Sequence, residues 1–219
     1  MNEPAQTGLD EPRWPPALAI LVVFALLAVL PHHVQLAPAW VRYIVVIAVL
    51  APMMIVKLTK ANTLWLLVER RLIMFFAAAY IVNTTAELAD MIGIITLHPP
   101  ETRQISLLSS SLAIWVTNVL TFSLVYWQID AGGPYARARG MSEKPDWLFP
   151  QASAPDAAVS NWQPMFLDYL FLGYNTATAF SPTDAAPLTR RAKMLMMLES
   201  TISLLTLVVV AARAVNVLP

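Results

Sequence analysis

The 219-residue chain has no cysteine, only three histidines and six glycines, and few charges. Without cysteine there are no disulfides and no thiolate metal sites. Charged residues make up 13% of the chain, about half the share usual in a soluble domain. Fourteen basic and fourteen acidic residues cancel. The basic excess that a nucleic-acid surface needs is therefore missing, and no nucleic-acid partner is expected. Of the histidines, His32 and His33 are adjacent and His98 is far away, and neighbouring helical positions do not converge on one metal ion. Neither a glycine-rich phosphate loop, nor HExxH, nor a Ser-His-Asp order occurs. Neither an enzyme nor a bound cofactor is expected.

What the chain has in abundance is apolar sequence, at 58% of its residues, gathered in long runs. Residues 1–16 form an N-terminal tail containing Glu3, Asp10, Glu11 and Arg13. The run 17–30 follows acids and prolines rather than a basic region, and Ala28-Val29-Leu30-Pro31 makes a poor cleavage site. It therefore reads as a membrane helix and not as a leader. A second run covers about 40–58 with Pro52 inside, where a kink is expected. A third covers 72–97, after an amphipathic connection through Trp65. It carries Glu87 and Asp90, three residues apart and so on one helical face. Those acids cannot face lipid cheaply. They form either a proton or cation relay or a packing network with Asn83, Asn118 or Arg103. A fourth run, 105–129, ends on Tyr126 and Trp127, which are expected in the interfacial aromatic belt.

Residues 130–164 are irregular and rich in proline, and read as an extramembrane connection. The apolar stretch 164–180 is too short to span. With the polar segment after it and the final span 192–218, it fits either a re-entrant loop or an interfacial helix with a linker. The chain thus reads as an all-α polytopic protein, multi-pass in the cell membrane. It would have about five transmembrane helices, each of ~20 residues, plus one re-entrant pore helix.

Asn175–Thr189, NTATAFSPTDAAPLT, resembles the pore loop of tetrameric potassium channels. Thr176, Ala177 and Thr178 look like the end of the pore helix. Asp184 matches the acid at the filter mouth, and Pro187 and Thr189 match the P-x-T entrance to the inner helix. Ala192-Lys193-Met194, Glu199 and Ala211-Ala212-Arg213 continue the likeness, with Ser203 at the hinge-glycine position. The resemblance covers 105–218 and implies an outer helix (105–129), a connection (130–164), a pore helix and filter-like loop (165–189) and an inner helix (192–218). Residues 17–104 form a three-helix membrane region outside it. It implies a homotetramer in membrane lipid that conducts small inorganic ions. The implied pore residues are Thr176, Thr178, Ala179, Phe180, Ser181, Pro182, Thr183 and Asp184. Glu199 and Ser203 would support the inner helix.

The centre of the motif departs from the family. Phe180-Ser181-Pro182-Thr183 stands where V-G-Y-G is usual, and the missing glycines are what let filter carbonyls point inward. Pro182 further restricts Ser181 to extended backbone. The expectation is a passive monovalent-cation channel without potassium-grade selectivity. The alternatives are a non-conducting scaffold derived from a channel fold, or a proton-coupled transporter using Glu87 and Asp90. A plain turn at Ser181–Asp184 stays open as well. Eleven of the fourteen basic residues fall on the pore-loop side of a five-span topology. By charge that side is cytoplasmic, whereas the channel resemblance puts it outside.

Overall fold

The computed structural model describes residues 11–29, 39–58, 63–97, 104–138, 144–153, 162–179 and 185–215. These residues are mostly helical. The long helices are α1 (Trp14–Val29), α2 (Ala39–Leu58), α3 (Thr63–Leu97) and α4 (Gln104–Ile129). After a 3-10 turn (Asp130–Gly132) come α5 (Pro134–Ala138), strand β1 (Trp147–Leu148), α6 (Pro150–Ser153) and α7 (Phe166–Ala179). Strand β2 (Ala186–Pro187) and α8 (Arg190–Val215) complete the order.

Trp14-Pro15-Pro16 open α1, where missing amide donors are harmless because first-turn N–H groups have no helical partner. The amphipathic connection expected through Trp65 is instead the first part of α3, which continues unbroken for 35 residues. Helix α2 is likewise continuous through Pro52. Two helices are long and apolar enough to cross a membrane, over 111–132 and 190–211.

Helix α4 is the hub, packing on α1, α3, α7 and α8. Every residue from Thr121 to Ala131 is buried. Tyr126 and Trp127, expected at a lipid interface, are therefore core residues: Tyr126 stacks on Trp147 (4.7 Å between centroids) and Trp127 on Phe166 (6.0 Å). The chain leaves α4 through a tight turn with positive φ at Ala131, Gly132 and Gly133. A side chain at Gly133 would put its Cβ 2.8 Å from the Gln128 carbonyl oxygen, so glycine is required there.

The polarity of α8 is inside out for a protein in water. Its buried stripe runs Ala192, Met196, Glu199, Ile202, Ser203, Thr206 and Val209, while Met194, Met197, Leu204, Leu207 and Val208 are exposed. Helix α4 likewise buries Thr117, Asn118, Thr121, Ser123 and Gln128. Soluble helices keep their charged and polar faces outward. Polar side chains between helices and apolar ones outside is the arrangement suited to lipid.

Helices α1, α2, α3 and α4 pack as a ring, with α1 and α3 each resting on both α2 and α4. The ring frames a cavity of about 680 Å³, open on one side and lined by side chains from all four.

Candidate functional site

Helix α7 lies in the groove between α4 and α8 and contacts both. Its start is fixed locally: the Met165 amide donates to Asp168 Oδ2 (2.8 Å) and the Asp168 amide to the Met165 carbonyl (2.9 Å). The Phe166 amide, an orphan first-turn donor, is satisfied by Glu11 Oε1 (3.0 Å), which also accepts from Trp127 Nε1 (2.8 Å). Helix α7 therefore begins at the end of the bundle where α4 finishes.

Midway along, α7 makes its closest approach through Gly173. A Cβ there would lie 2.5 Å from Ser123 Oγ, 3.3 Å from Glu199 Oε1 and 3.3 Å from the Val119 carbonyl oxygen. Near its far end, the Thr176 carbonyl accepts from Ser200 Oγ of α8 (3.2 Å). By Ala185 the chain is back at the first end. There Leu188 N donates to the Asp146 carbonyl (2.7 Å), and β2 pairs antiparallel with β1, Trp147 opposite Pro187. Thr189 then caps α8, its Oγ1 accepting from the Ala192 amide (3.2 Å).

The returning segment is locked by a buried polar network. Asp130 Oδ2 accepts from Tyr169 Oη (2.6 Å), and Oδ1 from the amides of Asp146 (2.6 Å) and Trp147 (3.4 Å). Arg137 Nη1 donates to the carbonyls of Trp127 (3.0 Å) and Asp130 (2.7 Å), and its guanidinium stands 5.0 Å from the Tyr169 ring centroid. Asp146 in turn accepts from Thr189 Oγ1 and from Arg191 Nε (2.6 Å) and Nη2 (2.7 Å). At the same end Arg13 pairs with Glu69, and Arg70 donates to the Gly132 carbonyl (2.9 Å). Basic residues scattered along the sequence thus meet at one end and bind groups of the protein itself.

Burial raises the Glu11 carboxyl from its ordinary value of 4.5, outweighing the nearby Arg137 charge, the bonds from Trp127 and Phe166 and the Arg13 charge. A raised carboxyl favours the protonated form in the fold. Its contribution to stability is fullest below its unfolded value and is lost as pH rises through the folded one. Glu11→Gln keeps an acceptor for both donors. It should match wild type in thermal unfolding near pH 4 and exceed it at pH 8. A difference that does not vary with pH would count against this account.

Deeper in the bundle lies a second cluster. Tyr126 Oη donates to Glu199 Oε2, and Asn118 Nδ2 donates to Ser203 Oγ (2.9 Å) and to the Glu199 carbonyl (3.2 Å). Glu199 Oε1 is buried with no hydrogen-bond partner among the described residues and faces Gly173. Glu199 thus reaches α4 by a hydrogen bond and meets α7 by contact alone. Replacing it by alanine leaves the buried Tyr126 hydroxyl without an acceptor, which should cost about 1–3 kcal/mol. Glu199→Gln retains an acceptor oxygen and should stay near wild type in melting temperature. Equal losses for both variants would rule out the Tyr126 bond as the source.

Of the pore residues expected from sequence, Thr176 is buried and its Oγ1 donates to the Leu172 carbonyl (2.8 Å). Thr178 is exposed and its Oγ1 donates to the Tyr174 carbonyl (2.7 Å), while Ala179 is exposed at the helix end. Phe180, Ser181, Pro182, Thr183 and Asp184 lie outside the described residues. Glu87 and Asp90 fall on α3, but their side chains are also outside the described set. Among the described residues no group of three acids or histidines could hold a metal ion. Sequence reasoning gave no role to Glu11, Asp130, Arg137, Asp146 or Tyr169.

The chain was compared with protein-family models, curated proteins and solved structures. None matches.

Proposed function

We propose that this chain is one subunit of a homotetrameric pore-loop membrane protein that passes small monovalent cations passively. In this reading α1, α2, α3, α4 and α8 are five spans in the cell membrane and α7 is a re-entrant pore helix. One observation carries it: α7 sits between the two helices long enough to span, and Phe166 and Leu188 lie at the same end of the bundle. A chain that enters between two spans and leaves by the same side is tolerated in lipid where neighbouring protein shelters its backbone.

The inverted polarity of α8 supports a lipid setting. The exposed apolar faces of α7 and α8, with Leu167, Phe171, Met197 and Leu204, give further copies a surface to pack on. One re-entrant segment cannot enclose a conduit, so the reading requires a symmetry axis. Purified protein in liposomes should then pass monovalent cations, with permeation altered in Thr183→Ala and Asp184→Asn while folding is not. A monomer, or an intact tetramer without flux, would overturn the proposal. The second reading, a non-conducting scaffold, is favoured by Phe180-Ser181-Pro182-Thr183, where the glycines of a selective filter are replaced.

A further inference from the structure

The cavity inside the ring of α1–α4 has walls of one chemical kind. Ile20, Val23 and Phe24 of α1, Val49 of α2 and Leu124 of α4 face Ile73, Phe76 and Ala77 of α3. The run Ala77-Ala78-Ala79 supplies the room, since larger side chains there would fill it. Tyr80, Asn83 and Thr121 add polar atoms, and among the described residues no lysine, arginine, histidine or acid lines the space.

Its shape narrows the choice of occupant. On α3 the lining runs from Ile73 to Ala86, about 20 Å of helix at 1.5 Å per residue. About 680 Å³ spread over that length makes a long, thin slot, the shape of an extended hydrocarbon chain. The length is on the scale of one bilayer leaflet, about 15 Å of hydrocarbon. The slot is also open sideways, because Phe75, Ala79, Val82 and Ala86 line it while being exposed on α3.

The charges narrow it again. A free fatty acid drawn wholly into the slot would bring its carboxylate among described lining residues that offer no cation, at a desolvation cost nothing there repays. A tethered chain leaves its head group outside. Ile73 lies just below Arg70 and Arg71, and Arg71 is exposed. A phosphate at that level would have a cationic neighbour while its tail descends the slot.

We propose that the cavity between α1, α2, α3 and α4 is a binding site for one acyl chain of a bilayer phospholipid. The inference rests on the membrane setting of the proposed function but not on its pore loop, since neither α7 nor α8 contributes to the lining.

The test uses the full chain in phosphatidylcholine vesicles containing phosphatidylcholine with a photoreactive diazirine on one acyl chain. A parallel set carries the diazirine on a free fatty acid. After irradiation, adducts are mapped by peptide mass spectrometry. The phospholipid probe should label the enclosed positions Phe24, Thr121 and Leu124 as well as the exposed α8 positions Leu204 and Leu207. Ala77→Phe, which fills the slot from α3, should cut labelling of the enclosed positions roughly ten-fold, the factor of a modest affinity loss, while α8 labelling holds. Val23→Phe fills it from the opposite wall if Ala77→Phe does not fold. Phospholipid adducts confined to exposed faces, or enclosed positions labelled only by the free fatty acid, would overturn the proposal.

Discussion

Replacing Asp130 by alanine should destabilise the fold by about 3–5 kcal/mol, the scale for breaking a buried charge arrangement from one side. The carboxylate is buried and takes three donors: the Tyr169 hydroxyl and the amides of Asp146 and Trp147. Without it all three are left in a dry site beside the Arg137 guanidinium. Asp130→Asn keeps an acceptor for the amides and should lose clearly less. Tyr169→Phe removes a single bond and should cost about 1 kcal/mol. Chemical unfolding in detergent would rank the three variants. A loss below ~1 kcal/mol for Asp130→Ala, within the range of ordinary surface substitutions, would show that the end network does not hold the bundle.

The second large effect is expected at Gly173. Even a methyl group meets Ser123 Oγ at 2.5 Å, and Val119 backbone and Glu199 stand close behind. Gly173→Ala should cost about 1–3 kcal/mol, as overpacking does. Removing the offending hydroxyl with Ser123→Ala should restore most of that loss. Among the described residues Ser123 Oγ bonds only within its own helix, to the Val119 carbonyl (2.7 Å), so the single Ser123→Ala change should be mild. Gly173→Leu has no such remedy and should abolish folded yield. Additive losses in the Gly173→Ala, Ser123→Ala double variant would mean that the two sites do not touch.

The long elements were legible because apolar runs of that length have few other uses. The ends of α4, α7 and α8 fall within a few residues of where hydropathy and proline positions set them. The start of α3 was not, because Glu69, Arg70 and Arg71 interrupt the run. Glu69 is nonetheless buried against Arg13, a partner 56 residues away. The same distance problem hid the end network. Glu11 and Phe166 are 155 residues apart, and Asp130 and Tyr169 are 39 apart. Nothing local marks either pair.

Tyr126 and Trp127 misled because belt residues and core aromatics look alike in sequence. Gly173 carried a readable signal. A glycine inside a 14-residue helix costs roughly 1 kcal/mol against alanine, which implies that something close by requires it. The filter-like residues Phe180–Asp184 are known by sequence alone, so the chemistry of any pore is carried by the motif and not by geometry.

The seat of α7 also fixes an order of events during synthesis. Half of that seat, Ser123 and Val119, leaves the ribosome before α7. The other half, Glu199 and Ser200, leaves after it. In the proposed membrane setting α7, at 14 residues, is too short to be a span of its own and waits at the surface until α8 arrives. A nascent chain halted before Arg190 would hold its first four long helices and only the α4 half of the seat for α7.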